Sequence, residues 1–227
     1  MRSPPITTGG LVLTTTASLA LAGLLIVAVL EAGPKADGLG AAVQAELAQS
    51  GVSNPVTAVL LNFRAYDTML ELLVMLLALI GTSAIVRPLP AMQPLASPVL
   101  PMLLRLITPV IVPFAFYVLW IGAKAPGGAF QAGAVLAGIG IMAAVIARDV
   151  FTGGLPLIWL RVLAALGVAV FLGIGLAVIA QTGSFLTYPV AEAKRLIMAI
   201  ELAATLSICI TLMLLFKGGL GGPEGGR

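Results

Sequence analysis

Six stretches of mostly apolar residues alternate with polar or Gly/Pro-rich segments along the chain, at about 11–31, 56–85, 102–122, 129–147, 157–180 and 193–216. A stretch of about 20 apolar residues, wound as an α-helix rising ~1.5 Å per residue, matches the hydrocarbon thickness of a bilayer. The pattern predicts an all-α integral membrane protein with about six transmembrane helices. Between the first two spans, residues 32–53 carry Gly33, Pro34, Gly38, Gly40 and Gly51 around a short Ala/Gln/Glu stretch, which predicts a turn or two of surface helix. Five prolines, Pro88, Pro90, Pro94, Pro98 and Pro101, mark an extended linker after the second span. The expected organisation is a two-helix front module (1–86), a Pro-rich linker (87–101), a four-helix back module (102–217) and a disordered Gly-rich tail (218–227). The first apolar run follows Arg2 as a signal peptide would. Glu31-Ala-Gly-Pro-Lys35 after it is a poor cleavage site, so the run reads as a retained helix.

The second span breaks the apolar rule. Arg64, Asp67 and Glu71 lie near its middle, spaced i, i+3 and i+7. On one continuous α-helix they would share an arc of about 60° at ~3.6 residues per turn. Each charge at the bilayer centre costs roughly 2.5–3.5 kcal/mol on insertion scales, so the three must pair, face protein or line water. A structural ion pair of Arg64 with Asp67 or Glu71 satisfies part of that demand. One base cannot neutralise two carboxylates, however, and the spare acid is what a cation or proton path needs.

Composition agrees with the span count. Hydrophobic residues make up 60% of the chain and charged residues 9%, too apolar for the surface of a water-soluble domain. The formal charge of +3 therefore says little about acidic partners, and no nucleic acid is expected. Sidedness is more informative. With the N-terminus cytoplasmic, that side holds Arg2, Arg87, Arg105, Arg148, Arg161, Lys217 and Arg227, and the other holds Lys35 and Lys124. The bias predicts an N-in/C-in topology in the cell (inner, cytoplasmic) membrane. Cys209 is the single cysteine and histidine is absent, so no intrachain disulfide, metal centre, haem or other cofactor is expected. A phosphate-binding loop and a nucleophile-elbow serine are missing too, so the chain is not expected to be an enzyme.

Two further features stand out. The segment joining spans three and four contains Pro126, suited to a first helical turn, and Gly127, Gly128 and Gly133, which permit close backbone approach. Ala134, Ala137, Gly138 and Gly140 continue a small-residue face. The last span opens with Glu192, Lys194 and Arg195 and carries Glu201 deeper in. Lys194 and Arg195 can snorkel to the outer interface, or Lys194 can join Glu201, i, i+7 away, in a polar path. Glu201 has no such escape and should face another helix or a polar cavity.

The segment Asn62-Phe-Arg-Ala-Tyr-Asp-Thr-Met-Leu-Glu71 resembles the Asp-Phe-Arg-Gly-Phe-Asp-Thr-Leu-Gly-Glu pattern of Mrp-type multisubunit sodium/proton antiporters and related membrane-bound hydrogenases. There the pattern belongs to the hydrogenase E-like module, often the C-terminal end of the antiporter A subunit. Ala125-Pro-Gly-Gly-Ala-Phe-Gln-Ala-Gly133 resembles the Pro-Gly-Gly-Gly-Phe-x-Gly-Gly signature of the four-span antiporter B subunit. The chain thus looks like an E-like module fused to a B subunit, over roughly residues 50–216. The resemblance implicates Phe63, Arg64, Asp67, Thr68 and Glu71 in front, with Asp67 and Glu71 on an ion path, and Pro126, Gly127, Gly128, Phe130 and Gly133 behind. Asn62 stands in place of an acid, Ala129 and Ala132 in place of glycines, and Ala123-Lys124 where relatives often have His-Asn.

The resemblance implies a non-catalytic membrane subunit of a sodium/proton antiporter complex, with transported Na+ and H+ as its ions and other membrane subunits and the lipid bilayer as partners. The ion-pathway set is Arg64, Asp67, Thr68, Glu71, Lys194 and Glu201. The same module would serve in the membrane arm of a redox-driven complex, a membrane-bound hydrogenase or a complex I-like oxidoreductase. A purely structural scaffold, with the Arg64 cluster as a packing lock, is a third possibility. A self-sufficient transporter ranks last, because no internal duplication is evident.

Overall fold

A computed structural model describes residues 8–31, 38–85, 99–146 and 154–220. The described residues are helical, with no strand among them. In order come α1 (Thr8–Glu31), α2 (Gly40–Glu46) with a 3-10 turn, Leu47–Gln49, and α3 (Pro55–Ala58). A π-helical turn, Val59–Phe63, leads into α4 (Ala65–Ile85), followed by α5 (Val99–Ile121), α6 (Ala129–Val145), α7 (Leu157–Thr182) and α8 (Val190–Phe216). Four of these, α4, α5, α7 and α8, are long and apolar enough to cross a membrane. Residues 15–31 of α1 and the whole of α6 form shorter apolar helices. The expected surface helix of 32–53 is α2 with its 3-10 turn.

The chain divides into two compact units, 1–41 and 42–227. In the first, α1 is apolar around its circumference, as a helix surrounded by apolar material must be. In the second, α8 is the central element. It packs along α6 and α7 and against α4, while α5 packs on α6. Small residues permit the approach of α6 to α8: a Cβ at Gly133 would meet Ile208 at 2.9 Å, and Gly140 lies against Met213. Ala137 shares this buried face. Ala134 and Gly138 do not belong to it as the sequence suggested. They are exposed, because a 3.6-residue period places them on another side of the helix.

The core joins both halves of the chain. Val52, Ala58, Leu61, Ala65, Met69 and Leu72 belong to one buried cluster with residues of α5 through α8, including Leu119, Phe171 and Ile200. A second cluster joins Leu79 of α4 to Leu160, Ala164 and Leu214. Of the expected linker, residues 87–98 lie outside the described residues, and α5 already begins at Val99. Similarly, α8 begins at Val190, ahead of the expected position 193.

The expected disordered tail needs correction at its start. Gly218 N–H donates to the Leu215 carbonyl (3.1 Å) and Gly219 N–H to that of Leu214 (2.8 Å). This is the Schellman pattern that closes a helix C-terminus. Gly218 supplies the positive φ (86°) that it requires. Leu220 N–H then donates to Ser83 Oγ (2.8 Å), tying the end of α8 to α4. Residues 221–227 of the tail lie outside the described residues.

Candidate functional site: an acidic cavity at a broken helix

The second span is not one continuous helix. Asn54 is an N-cap, its side chain accepting from Val56 N–H (3.0 Å), and Pro55 occupies the first helical position. After one turn the register slips. Arg64 N–H donates to the Val59 carbonyl (2.7 Å), an i to i−5 bond, and Arg64 leaves helical geometry at φ −128°, ψ 34°. The Thr68 hydroxyl returns to this turn, donating to the Leu60 carbonyl (2.6 Å). The break corrects the single-arc expectation. Asp67 and Glu71 remain one turn apart on α4, while Arg64 sits at its threshold.

Arg64 and Asp67 form an ion pair whose side chains are both substantially exposed. Glu71 is exposed at the chain surface and has no ion-pair partner among the described residues. The spare acid expected from one base and two carboxylates is therefore Glu71.

The Asn54 side chain also clamps the segment between α5 and α6. Its Nδ2 donates to the carbonyls of Gly122 (3.1 Å) and Ala125 (2.9 Å), and the Thr57 hydroxyl donates to Gly122 (2.5 Å). The backbone N–H groups of Ser53 and Asn54 both donate to Ala123 (3.1 Å). So held, Pro126-Gly127-Gly128 turns tightly into α6. A Cβ on Gly127 would run into the Val118 carbonyl, and Gly128 adopts φ 124°, open to glycine without strain.

Into this turn comes Glu201 from α8. It is only 2% exposed. The Ala129 N–H, at the start of α6, hydrogen-bonds its carboxylate. Oε1 lies so close to the turn that a Cβ on Gly128 would sit 2.9 Å from it. Oε2 is buried without a hydrogen-bond partner among the described residues. A helix N-terminus favours a carboxylate by about 0.3–1 kcal/mol, and by up to ~2 kcal/mol in partly buried geometry.

These pieces line a half-open cavity of about 340 Å³. Its walls come from Asn54 and Thr57, the π turn, Thr68 and Glu71 of α4, the Pro126–Gln131 turn, Phe171, and Ile200 to Ala204 of α8. Among the described residues, Glu71 and Glu201 are the only charged ones lining it. A neighbouring groove of about 440 Å³ is lined by Asp67, Leu70, Glu71, Val74, Met75 and Phe130. Glu71 and Phe130 thus belong to both spaces.

Of the expected site residues, the structure brings Thr68, Glu71, Pro126, Gly127, Gly128, Phe130 and Glu201 to the cavity, and Asp67 to the groove. It leaves Lys194 out. Lys194 is exposed near the start of α8, beside the Arg195–Glu192 pair (3.4 Å), and lines neither space. The i, i+7 spacing aligned it with Glu201, but a span this long puts the two at different depths. Phe63 is exposed, and Gly133 packs on α8 instead of lining the cavity. Asn54, Thr57 and Gln131 were not singled out in the sequence. The Asn-Pro helix start was a legible signal for Asn54, whereas the bond of Thr57 to Gly122 and the place of Gln131 in the cavity wall come only from the fold. Tyr188, between α7 and α8, is buried without a hydroxyl partner among the described residues, and burial pushes its ionisation up. It lines neither space.

The geometry defines a multi-pass helical membrane protein with an acidic cavity at a broken helix. Residues 99–220, more than half of the chain, match the family described as "Domain related to MnhB subunit of Na+/H+ antiporter". The chain belongs to that MnhB-related family. No curated protein sequence matches it significantly. Among solved structures it is similar to a chain of the Mrp complex from Dietzia sp. DQ12-45-1b, with TM-score 0.63 and 22% identity, over 100% of this chain. The chain spans 27% of the length of that relative. It is also similar to a chain of the membrane-bound sulfane sulfur reductase, an archaeal respiratory membrane complex, with TM-score 0.62 and 20% identity over 89% of this chain and 97% of the other. At these identities the likeness is one of fold.

Proposed function

We propose that the chain is a non-catalytic membrane subunit of a multisubunit sodium/proton antiporter complex in the cell membrane, with Asp67 and Glu71 on its ion pathway. One observation carries the reading: Glu71 lines both the outer groove, with Asp67, and the inner cavity, with Glu201. An acid shared by two adjoining spaces is placed to hand a cation or proton from one to the other. The Arg64–Asp67 pair tempers the charge at the groove, and Glu71 has no ion-pair partner among the described residues. Membership of the MnhB-related family supports the antiporter assignment. Similarity to the Mrp-complex chain over the whole of this one supports reading residues 1–86 as an E-like module joined to a B-type module. Replacing Glu71 with Gln, or Asp67 with Asn, should abolish or strongly reduce sodium/proton exchange in membrane vesicles while leaving the complex assembled. Normal exchange by both variants would refute the pathway.

The similarity to a chain of a respiratory sulfane sulfur reductase complex favours a second reading, in which the same subunit serves a redox-driven ion pump. Mass spectrometry of the chains that co-purify with the native protein separates the two. Hydrophilic iron–sulfur or nickel subunits would select the second.

A further inference from the structure

We propose that the inner cavity is a binding site for one small monovalent cation, with the Glu201 carboxylate as its charged ligand. Hydrogen-bond accounting leads there. Asn54 has committed its Nδ2 to two carbonyls and its Oδ1 to Val56 N–H. The hydroxyl protons of Thr57 and Thr68 are spent on the carbonyls of Gly122 and Leu60. These hydroxyls therefore have lone pairs left to offer, alongside two carboxylates. Among the described residues that line the cavity, none is a lysine or arginine. A wall with two carboxylates, and with the side-chain donors of Asn54, Thr57 and Thr68 committed, suits a positively charged guest.

Glu201 is the best-placed ligand. Ala129 N–H, at the N-terminus of α6, hydrogen-bonds the carboxylate and fixes its position. Oε2 is left buried and unpartnered. A buried carboxylate oxygen without a donor is costly, and a cation at Oε2 removes that cost directly. The volume, about 340 Å³, admits such an ion together with several waters at ~30 Å³ each. The Pro-Gly-Gly turn thereby acquires a specific task. It brings a helix N-terminus against a carboxylate with no Cβ between them, and leaves the other oxygen for the ion.

The inference rests on the pathway reading for the ion's route, and on the cavity's own geometry for the site. The test is equilibrium binding of radioactive sodium to the purified native complex, with lithium and potassium as competitors. Saturable binding is expected, with Glu201→Gln weakening it at least about tenfold, or ~1.4 kcal/mol. Glu201→Asp, which keeps the charge and withdraws it by one methylene, should bind with intermediate affinity. No saturable sodium binding by the wild-type complex, or undiminished binding by assembled Glu201→Gln, would overturn the site. If the Glu201 variants fail to assemble, a second measurement leaves Glu201 intact. Thiol labelling of Gln131→Cys, in a Cys209→Ser background, should slow in sodium relative to choline, and equal rates would overturn the proposal. The two readings fail separately. Normal exchange by Asp67→Asn and Glu71→Gln, with sodium binding still dependent on Glu201, would remove the pathway and leave the site.

Discussion

At the scale of single residues, Gly128 carries more of the site than any acid does. Its φ of 124° is unfavourable for a side chain, and a Cβ there would press on Glu201 Oε1. Gly128→Ala should therefore destabilise the chain by about 1–3 kcal/mol from backbone strain alone, and displace the carboxylate besides. The measurement is the thermal unfolding midpoint of the purified complex, which should fall. The neighbouring glycines separate by position along α6. Gly133→Ala brings a Cβ within 2.9 Å of Ile208 and 3.0 Å of the Thr205 carbonyl, and overpacking of that kind costs about 1–3 kcal/mol. Gly138→Ala meets nothing within 4 Å and should be neutral or stabilising by about 0.5–1 kcal/mol, since alanine is the better helix former. Parallel unfolding curves of the two variants test this contrast.

At the scale of elements, the π turn decides what α4 presents to the cavity. It inserts an extra residue between the capped start at Asn54 and the acids of α4, and Thr68 fastens the irregular backbone. Deleting Phe63 should restore a continuous i to i−4 ladder and remove the widened turn at the cavity wall, with the Leu60 carbonyl that Thr68 holds there. The expected result is loss of ion exchange in vesicles with the subunit composition preserved. An assembled deletion variant that exchanges ions normally would show the π turn to be dispensable. The α5–α6 connection works in the opposite sense, as a rigid seat. Asn54 and Thr57 hold its carbonyls, so the N-terminus of α6 stays fixed against Glu201.

At the scale of the whole molecule, residues 42–85 and 99–220 form one packed body. Ala58, Ala65 and Leu72 lie in the same buried cluster as Phe171 and Ile200, and Leu79 packs with Leu160 and Leu214. A fragment restricted to residues 99–220 would uncover that face of α7 and α8 and lose half of the cavity wall. It should be degraded or aggregate when expressed in membranes, whereas a fragment beginning at residue 42 should accumulate. Immunoblotting of detergent-solubilised membranes after size exclusion distinguishes the two.

The linear sequence determined the helices, the absence of cofactor-binding motifs and the presence of acids where lipid could not tolerate them. Each follows from properties that sum along a chain: an apolar run long enough to span stays apolar whatever it packs against, and a charge within it must be accommodated. The Arg-Asp pair was legible for the same reason, being set by local i, i+3 geometry. The tertiary structure alone decided that Glu71 and Glu201 share a cavity, that Lys194 does not, and that the Pro-Gly-Gly turn seats a carboxylate. Hydropathy and periodicity give a residue's depth and face on its own helix. Which helix meets that face depends on small residues letting two backbones approach, and on one slipped turn that no periodic pattern announces.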